Sequence, residues 1–363
     1  MSDTTIEAAQ VVLPCPEPLS GTLNFFIELG FKVRTIVPAD HPRVAVMQGF
    51  GLTIRLDCNS DAPPALLRLL TTGDVPGPVT APNGTVIEFV AANPPLEIPP
   101  LVEEFVLTRA PASDSEFGEG RAGMNYRDLI PSRLGGRFIA SHIMIPHGGP
   151  VADYVHFHNI RFQMIYCYRG WTRVAYEDQG EVMLLQEGDC FLQPATIRHR
   201  VLEASDRMQV IEIGCPAEHE TWGDPATTLP TGLTLPGRGY GPDGHRFVFH
   251  QAATATWKPW RLDGYVCRDT GIGAAMDGVA GVRVVRPLGS SEPVTTQHDA
   301  EFVFQFVLDG GMTLQRADDQ PVRLGEGDSF VMPARTQYTL SDPSADLQLL
   351  DVTLPDLVVS GRV

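Results

Sequence analysis

Residues 156–170 read HFHNIRFQMIYCYRG, and residues 296–310 read TQHDAEFVFQFVLDG. Residues 187–199, EGDCFLQPATIRH, are echoed in the same way by residues 326–338, EGDSFVMPARTQY. The spacing from His156 to Thr296 and the spacing from Glu187 to Glu326 differ by a single position. Because the offset is nearly the same at two separate places, the sequence predicts two copies of one structural unit.

The stretches around these repeats have the pattern of β-strands. From Arg137 to the end of the chain, short apolar segments alternate with turns rich in Gly, Asp and Pro. That spacing is typical of a sandwich or barrel of short strands. The length of 363 residues is also too great for one ordinary domain and suits two or three.

Three histidines of the first copy are candidate metal ligands. Positions i and i+2 of a strand point to the same face, so His156 and His158 can both enter a barrel. His199 follows a Gly-Asp turn and a proline, after which a strand can return it to the same point. Three neutral imidazoles suit Fe(II), Zn(II), Ni(II), Mn(II) or Cu(II), and the sequence does not choose among them.

These residues resemble the two motifs of the cupin superfamily. The first motif is a His-x-His pair followed by Glu and then Gly, and the second is a Gly-Asp turn followed by Pro and His. The matching residues here are His156, His158, Gln163 and Gly170, then Gly188, Asp189, Pro194 and His199. The resemblance covers most of residues 137–355 and implies two jelly-roll barrels in tandem, with a metal in the first.

Gln163 stands where the cupin pattern usually has a glutamate. Without a carboxylate ligand the centre keeps the full +2 charge of its ion, so it binds an anionic or chelating substrate more strongly. Gln163 is therefore either a weak fourth ligand or a hydrogen-bonding partner of a bound water or substrate.

Other side chains near the motifs are candidates for contact with substrate. Tyr154 shares strand parity with His156, so we expect it to face inward. Arg161 could pair with a substrate carboxylate. His142 and Arg198 are interpreted as a packed histidine and a solvated charge.

The second copy keeps too few ligands for a transition metal. Aligned on Gly310, its ligand positions hold Thr296, His298, Val303 and Tyr338. One histidine is insufficient, so we expect this barrel to be structural.

The N-terminal segment has a different pattern. VVLPC, Phe31–Val37, Val44–Met47, Leu52–Leu56 and Gly84–Val90 are predicted strands, Glu17–Leu29 is a predicted helix, and a short helical piece is expected around Ala65–Leu70. The stretches PLSGTLNFFIELGFKV and APNGTVIEFV resemble the vicinal oxygen chelate superfamily, which includes the glyoxalases. The resemblance would make Glu88 a metal ligand. Such a site also needs histidine or glutamate partners from paired modules, and the only histidine before His142 is His41, in a Pro-flanked loop. A packing or dimerisation module is therefore favoured.

The predicted fold class is mainly β, with two cupin barrels preceded by this small α+β module. The expected boundaries are residues 1–95 for the glyoxalase-like module, 96–135 for a linker, 136–225 for the first barrel and 226–363 for the second.

Charge and composition exclude several classes of function. The net charge of −17 and the lack of any Lys/Arg-rich run argue against binding to nucleic acid or to a membrane surface. The N-terminus lacks the features of a signal peptide, and no apolar run is long enough to span a membrane. We therefore expect a cytoplasmic protein with reduced cysteines, and the N-terminal module favours a homodimer.

The leading functional hypothesis is a mononuclear non-haem Fe(II) dioxygenase acting with O₂ on a small, chelating, anionic substrate. Similar cupins with neutral ligands include three-histidine dioxygenases. Two alternatives stay open. One is a metal-dependent isomerase, decarboxylase or lyase acting on an enolisable carbonyl compound, and the other is a non-catalytic small-molecule-binding protein.

Overall fold

The computed structural model describes residues 5–289, 292–317 and 319–358, together with the backbone of residues 360–362. By its internal contacts the chain divides into two compact units, Met1–Pro95 and Leu96–Val363. Within the described residues, no helix has the length and apolar character needed to cross a membrane.

The first unit is a small α+β fold. Its elements are β1 (Val11–Pro14), α1 (Ser20–Leu29), β2 (Lys32–Val37), β3 (Val44–Gly49), β4 (Leu52–Asp57), β5 (Leu66–Thr71), β6 (Val79–Thr80) and β7 (Val86–Ala91). One sheet has the order β1-β4-β3-β2, and another has the order β5-β7-β6. The buried Phe26 and Phe31 belong to a core of this unit's own residues. The predicted βαβββ order is confirmed, whereas the likeness to glyoxalase modules stays a prediction.

The helical piece expected around Ala65–Leu70 is wrong, because this segment is strand β5. Leu66–Thr71 pairs in parallel with β7, and its residues alternate between exposed and half-buried. The leucines favour a helix by intrinsic propensity, but pairing with β7 satisfies the backbone and overrides that preference.

The second unit begins with the elements that surround the first repeat. Short 3-10 helices lie at Asp114–Glu116 and Arg121–Gly123. The strands are β8 (Val106–Thr108), β9 (Gly118–Glu119), β10 (Asn125–Asp128), β11 (Ile139–Ile145), β12 (Gly149–Pro150), β13 (His156–His158), β14 (Phe162–Arg169), β15 (Trp171–Tyr176), β16 (Met183–Gln186), β17 (Cys190–Leu192), β18 (His199–Ala204), β19 (Met208–Cys215) and β20 (Thr221–Gly223).

The elements around the second repeat follow. A 3-10 helix lies at Ala252–Thr254, and a short helix α2 lies at Ile272–Ala275. The strands are β21 (Gly239–Tyr240), β22 (His245–Arg246), β23 (Val248–His250), β24 (Lys258–Pro259), β25 (Tyr265–Asp269), β26 (Gly281–Pro287), β27 (Val294–His298), β28 (Phe302–Asp309), β29 (Gly311–Arg316), β30 (Val322–Gly325), β31 (Ser329–Val331), β32 (Tyr338–Ser341), β33 (Gln348–Leu354) and β34 (Ser360–Arg362).

The two repeats form two barrels of equivalent topology. In the first, a sheet of order β23-β17-β14-β19-β11-β10-β9 is completed by one of order β16-β15-β18-β13-β20. In the second, the corresponding orders are β24-β25-β26-β33-β28-β31-β8 and β30-β29-β32-β27-β34. The predicted tandem of jelly-roll barrels is confirmed.

The barrels exchange edge strands. β8 precedes the first barrel but pairs with β31 of the second, and β23 follows the first barrel but pairs back to its strand β17. The segment 96–135, expected to be a linker, therefore contributes β8 to one barrel and β9 and β10 to the other. This pairing covers sheet edges that would otherwise present unpaired backbone groups.

Strand β14 shows how the packing aims side chains at the site. Phe162 and Met164 face the second barrel, where they join a shared core that contains Phe302. A close ring stack between Phe138 and Phe302, with centroids 4.1 Å apart, lies in the same core. Because strand residues alternate between faces, Gln163 on the same strand points into the first barrel.

Candidate metal centre

The three candidate histidines are brought together by β13 and β18. His156 and His158 are two residues apart on β13, and His156 lies directly opposite His199 on antiparallel β18. All three side chains are buried. The turn that leads back towards His199 contains Gly188, whose φ of +88° is a conformation that favours glycine.

Backbone carbonyls orient the three imidazoles. Nδ1 of His156 donates to the carbonyl of Tyr154 at 2.7 Å, Nδ1 of His199 to that of Ile197 at 3.0 Å, and Nδ1 of His158 to that of Glu220 at 3.2 Å. A proton on Nδ1 leaves the lone pair on Nε2, which is the arrangement of histidines that ligate metals.

The ligand nitrogens converge in an environment that keeps them neutral. One ring nitrogen of each of the three histidines lies within 4.8 Å of the others. Burial, together with the nearby rings of His219 and His156, lowers the pKa of His158 to about 3. Burial likewise holds the pKa of His199 well below its usual value, and burial and the Arg121 cation lower that of His156. Three unprotonated imidazoles are a donor set that fits a divalent transition metal.

Gln163 lies beside a carboxylate in the same cavity. Its Nε2 donates to Oε1 of Glu212 at 2.6 Å, and Glu212 lines the cavity from β19. This bond occupies the amide nitrogen, so the amide oxygen of Gln163 is the atom left to face an ion or a bound ligand.

The cavity inside the first barrel has a volume of about 90 Å³. The three histidines, Gln163 and Glu212 lie among its polar walls, and many of its other walls are apolar, among them Ile143, Leu185 and Phe191. Apolar walls of this kind lower the local dielectric constant and strengthen polar contacts with a bound ligand.

Arg121 is a further cation at this cavity. One guanidinium nitrogen pairs with Asp153, and the other, Nη2, lies 3.1 Å from Nε2 of His156. The second oxygen of Asp153 accepts the backbone N–H of Val201 at 2.9 Å, so the carboxylate is held in place from two sides.

The inward-facing position expected for Tyr154 is wrong. Strand β13 begins only at His156, so Tyr154 lies in the preceding loop, where strand alternation does not apply. Its side chain is 47% exposed and does not line the cavity. Its carbonyl orients His156, and its ring lies edge-to-face against the His156 imidazole with centroids 5.6 Å apart.

Arg161 does not lie at the cavity either. Its guanidinium pairs with both carboxylate oxygens of Glu301, at 3.0 and 3.3 Å, next to Arg137, which binds the same carboxylate. Its charge therefore serves contact between the two barrels, because its carboxylate partner is supplied by the second repeat.

His142 is packed as expected, whereas Arg198 is half-buried in an ion pair rather than a solvated charge. His142 is buried on the other face of β11 from the cavity residue Ile143, and its Nε2 is 2.7 Å from Oε1 of Gln209. Arg198 pairs with Asp224 at 3.0 Å. Neither side chain lines the cavity.

The ligand positions of the second barrel are arranged differently. Thr296 lies opposite Tyr338, just as His156 lies opposite His199 in the first barrel. His298 turns its Nε2 to the carbonyl of Met332 at 3.0 Å. Among the described residues, the only group of His, Cys, Asp and Glu ligands suited to a metal is the triad in the first barrel.

In the first unit, Glu88 also has a structural partner. Its Oε2 accepts hydrogen bonds from Nε and Nη2 of Arg68, at 3.3 and 3.2 Å, across the β5–β7 pair. This contact agrees with a packing role for that module.

Sequence reasoning missed two residues of the site, Arg121 and Glu212. A signal existed for both, since Arg261 and Asp351 stand at the corresponding positions of the second repeat. The two histidine motifs do not include these positions. Aligning the two repeats over their flanking strands as well would have matched Arg121 with Arg261 and Glu212 with Asp351.

Comparisons with known proteins agree with this architecture. Residues 282–353, in the second barrel, match the family model of the cupin domain. None of the curated protein sequences matches the chain significantly.

Several solved structures are similar. Oxalate decarboxylase of Bacillus subtilis, studied for its Mn(II) centres, has a TM-score of 0.50 and 14% identity and covers 71% of this chain and 79% of its own. Salicylate 1,2-dioxygenase of Pseudoaminobacter salicylatoxidans, in complex with gentisate, has a TM-score of 0.52 and 15% identity, with 73% and 87% covered. The protein Ylba of E. coli has a TM-score of 0.52 and 13% identity, with 71% and 93% covered.

Identities this low define the fold alone. Together with the matched cupin domain they show that the second unit has the cupin fold. The chain thus contains two barrels of cupin-like fold, and the histidine triad lies in the first of them.

Proposed function

We propose that this chain is a metal-dependent cupin enzyme, namely a mononuclear non-haem Fe(II) dioxygenase that acts on a small, chelating, anionic substrate. The observation that carries the proposal is the convergence of His156, His158 and His199, each with its Nδ1 bonded to a backbone carbonyl. Iron is proposed as the ion because three histidine ligands would leave positions open for both a chelating substrate and O₂.

The ion, when bound, would supply adjacent open positions at which a chelating substrate and O₂ can meet. The residues of the chain do the rest. The imidazoles hold the ion without neutralising it, Gln163 presents its amide oxygen to a ligand, and the apolar walls keep bulk water away.

The structural neighbours support an enzyme of this kind. Salicylate 1,2-dioxygenase shares the fold and was solved with gentisate bound. The dioxygenase activity of that protein supports the oxygenase hypothesis for the present chain, although a shared fold alone does not establish a shared reaction.

Glu212 favours a second candidate function. A carboxylate that lines the cavity can accept or return a proton, which an isomerase, decarboxylase or lyase acting on an enolisable carbonyl compound needs. The likeness to oxalate decarboxylase, with its Mn(II) centres, supports the same alternative. In that case Mn(II) or Zn(II) would serve as a Lewis acid without O₂.

Oxygen consumption separates the two candidates. Protein reconstituted with Fe(II) is tested in an oxygen electrode against a panel of diketones, thiols and phenolic acids, with Arg207→Gln as a matched surface control. Arg207 pairs with Asp114 at the surface. A dioxygenase consumes O₂ in proportion to substrate and stops under argon. Turnover that continues without O₂ and accepts Mn(II) or Zn(II) would contradict the oxygenase and support the alternative.

A further inference from the structure

We propose that Arg121 is a specificity-determining residue, which binds the carboxylate of a short aliphatic acid beside the metal. The inference rests on the metal site proposed above and deepens it by naming a substrate class and the residue that selects it. Its basis is a comparison of Arg121 with its counterpart in the second barrel.

Arg121 is placed at the ligand nitrogens by the segment before β10. Its Nη1 is held by Asp153, which is itself buried, and its Nη2 lies 3.1 Å from Nε2 of His156. An ion held by that nitrogen would take the lone pair that now accepts from Nη2, so the guanidinium would have to move off it. Its N–H groups would then need another acceptor beside the ion, and a guanidinium prefers a carboxylate.

The second barrel shows how the corresponding arginine is partnered where the histidine triad is not present. Arg261 makes two hydrogen bonds to Asp351, one of them 2.8 Å long, and Gln305 binds that carboxylate at 2.9 Å. Asp351 is fully buried. It lies opposite Gln305 on the neighbouring strand, just as Glu212 lies opposite Ile165 in the first barrel. In the second barrel, therefore, the arginine is bound within the fold by the repeat's own acid.

The first barrel breaks that pairing. Glu212, the counterpart of Asp351, is bonded to Gln163, and Arg121 is held from the side by Asp153. The counterpart of Asp153 in the second repeat is Pro293, so this carboxylate exists only in the barrel with the histidines. The exchange of partners leaves one end of the Arg121 guanidinium directed at the ligand nitrogens.

The formal charges indicate an anion with a single charge. A divalent ion and Arg121 bring three positive charges, and Asp153 and Glu212 bring two negative ones. One further negative charge neutralises the group, and repulsion between the ion and the guanidinium favours an anion placed between them.

The cavity sets the size of the substrate. Its volume of about 90 Å³ is smaller than the roughly 150 Å³ of a protein cavity known to hold benzene. Its walls include aliphatic side chains such as Ile143, Val174 and Leu185. By this measure a carboxylate with a short aliphatic or carbonyl-bearing chain fits the space better than one with an aromatic ring.

The test measures anion binding to the full chain loaded with Co(II), by the visible spectrum of the ion. Propionate is compared with its neutral analogue propionamide and with benzoate, in the wild type, Arg121→Gln, Arg121→Lys and the surface control Arg207→Gln. Metal content is measured separately for each protein. Since Arg121→Gln leaves Asp153 buried without its partner, the double variant Arg121→Gln/Asp153→Asn is included in case the single variant fails to fold.

The proposal expects the wild type to bind propionate better than propionamide or benzoate. Arg121→Gln should weaken propionate binding by about tenfold to a hundredfold, the range of a charge-assisted hydrogen bond. Its metal content and its affinity for propionamide should be unchanged. The propionate affinity of Arg121→Lys should lie between those of the wild type and Arg121→Gln. Equal propionate affinity in the wild type and Arg121→Gln would overturn the role of Arg121. Benzoate binding as tight as propionate would overturn the size limit. Failure of the wild type to bind metal would instead overturn the proposed function.

Discussion

At the scale of the residue, the two barrels differ in which ring nitrogen of a matching histidine bonds to the backbone. His158 and His298 occupy the same position of the repeat, as the third residue of HFH and of TQH. His158 gives its Nδ1 to a carbonyl and keeps Nε2 for the centre, whereas His298 gives its Nε2 to the carbonyl of Met332. We therefore expect His158 to be available to a metal through Nε2, and His298 not to be, because a carbonyl already occupies that nitrogen.

A titration experiment tests the burial of His142. Burial, opposed in part by the Gln209 hydrogen bond, lowers the pKa of His142 to about 4. An unfolded imidazole titrates near 6.5, so between these values the unfolded chain binds a proton that the folded chain does not. The free energy of unfolding should then fall as pH decreases, by about 1.4 kcal/mol per pH unit for this group.

Chemical denaturation at several pH values between 7 and 4 measures this slope. The variant His142→Gln should lose that part of the slope, and the exposed His147→Gln should keep it. Identical slopes in His142→Gln and the wild type would show that His142 is not held neutral by burial.

The sequence predicted the ligand histidines but not the charges around them. Strand alternation explains why His156 and His158 share a face, whereas His199 was predicted from the Gly-Asp turn and proline of its own motif. The prediction for Tyr154 extends that geometry too far, into a loop. The prediction for Arg161 rests on nearness in sequence, but its partner Glu301 lies 140 residues away. Such partners depend on how the barrels pack, which local pattern does not report.

At the scale of the element, the Glu-Gly-Asp turns connect the barrels. Asp189 accepts the backbone N–H of Ala252 at 2.8 Å, and Asp328 accepts that of Ala110 at 2.7 Å. Asp189 belongs to the first repeat, and Ala252 follows strand β23, which pairs with that repeat. Asp328 belongs to the second repeat, and Ala110 follows strand β8, which pairs with that one. The motif aspartate therefore fixes the exchanged strand as well as the turn, since its second oxygen binds a turn N–H at 3.0 Å in Asp189.

Asp189→Ala should consequently destabilise the protein by about 1–3 kcal/mol, because it leaves two part-buried backbone donors without their acceptor. Thermal or denaturant unfolding measures the change, and Glu181→Ala, at an exposed position, is the matched control. A loss no larger than that of the control would mean that the turn does not hold the strand β23.

Strand β5 shows where pattern fails at this scale. The run ALLRLL carries residues that suit a helix, yet its partner β7 begins more than a dozen residues later. Whether such a run becomes strand or helix is decided by a non-local pairing, which a window of neighbouring residues does not contain.

At the scale of the whole molecule, the repeats divide their work. The first barrel keeps a cavity and a histidine triad, and the second fills its centre with Tyr338, Arg261 and Asp351. Because the two share a core that runs from Phe138 to Phe302, the filled barrel supports the one that holds the site.

The division of the chain predicts a separable second unit. The core of residues 1–95 is built from that segment alone, and the cavity is lined only by residues after 120. Residues 96–363 produced alone should fold cooperatively and bind metal with the affinity of the full chain, as measured by equilibrium dialysis. A fragment that folds but binds no metal would show that the first unit contributes to the site.

X-ray absorption spectroscopy of the metal-loaded protein, alongside its metal content, reports on the histidine triad itself. Convergence of the triad on one ion predicts a single ion per chain with three imidazole nitrogens at about 2.0–2.2 Å, and loss of the ion in His199→Ala. A bound ion with fewer than three imidazoles, or one retained in full by His199→Ala, would contradict that convergence.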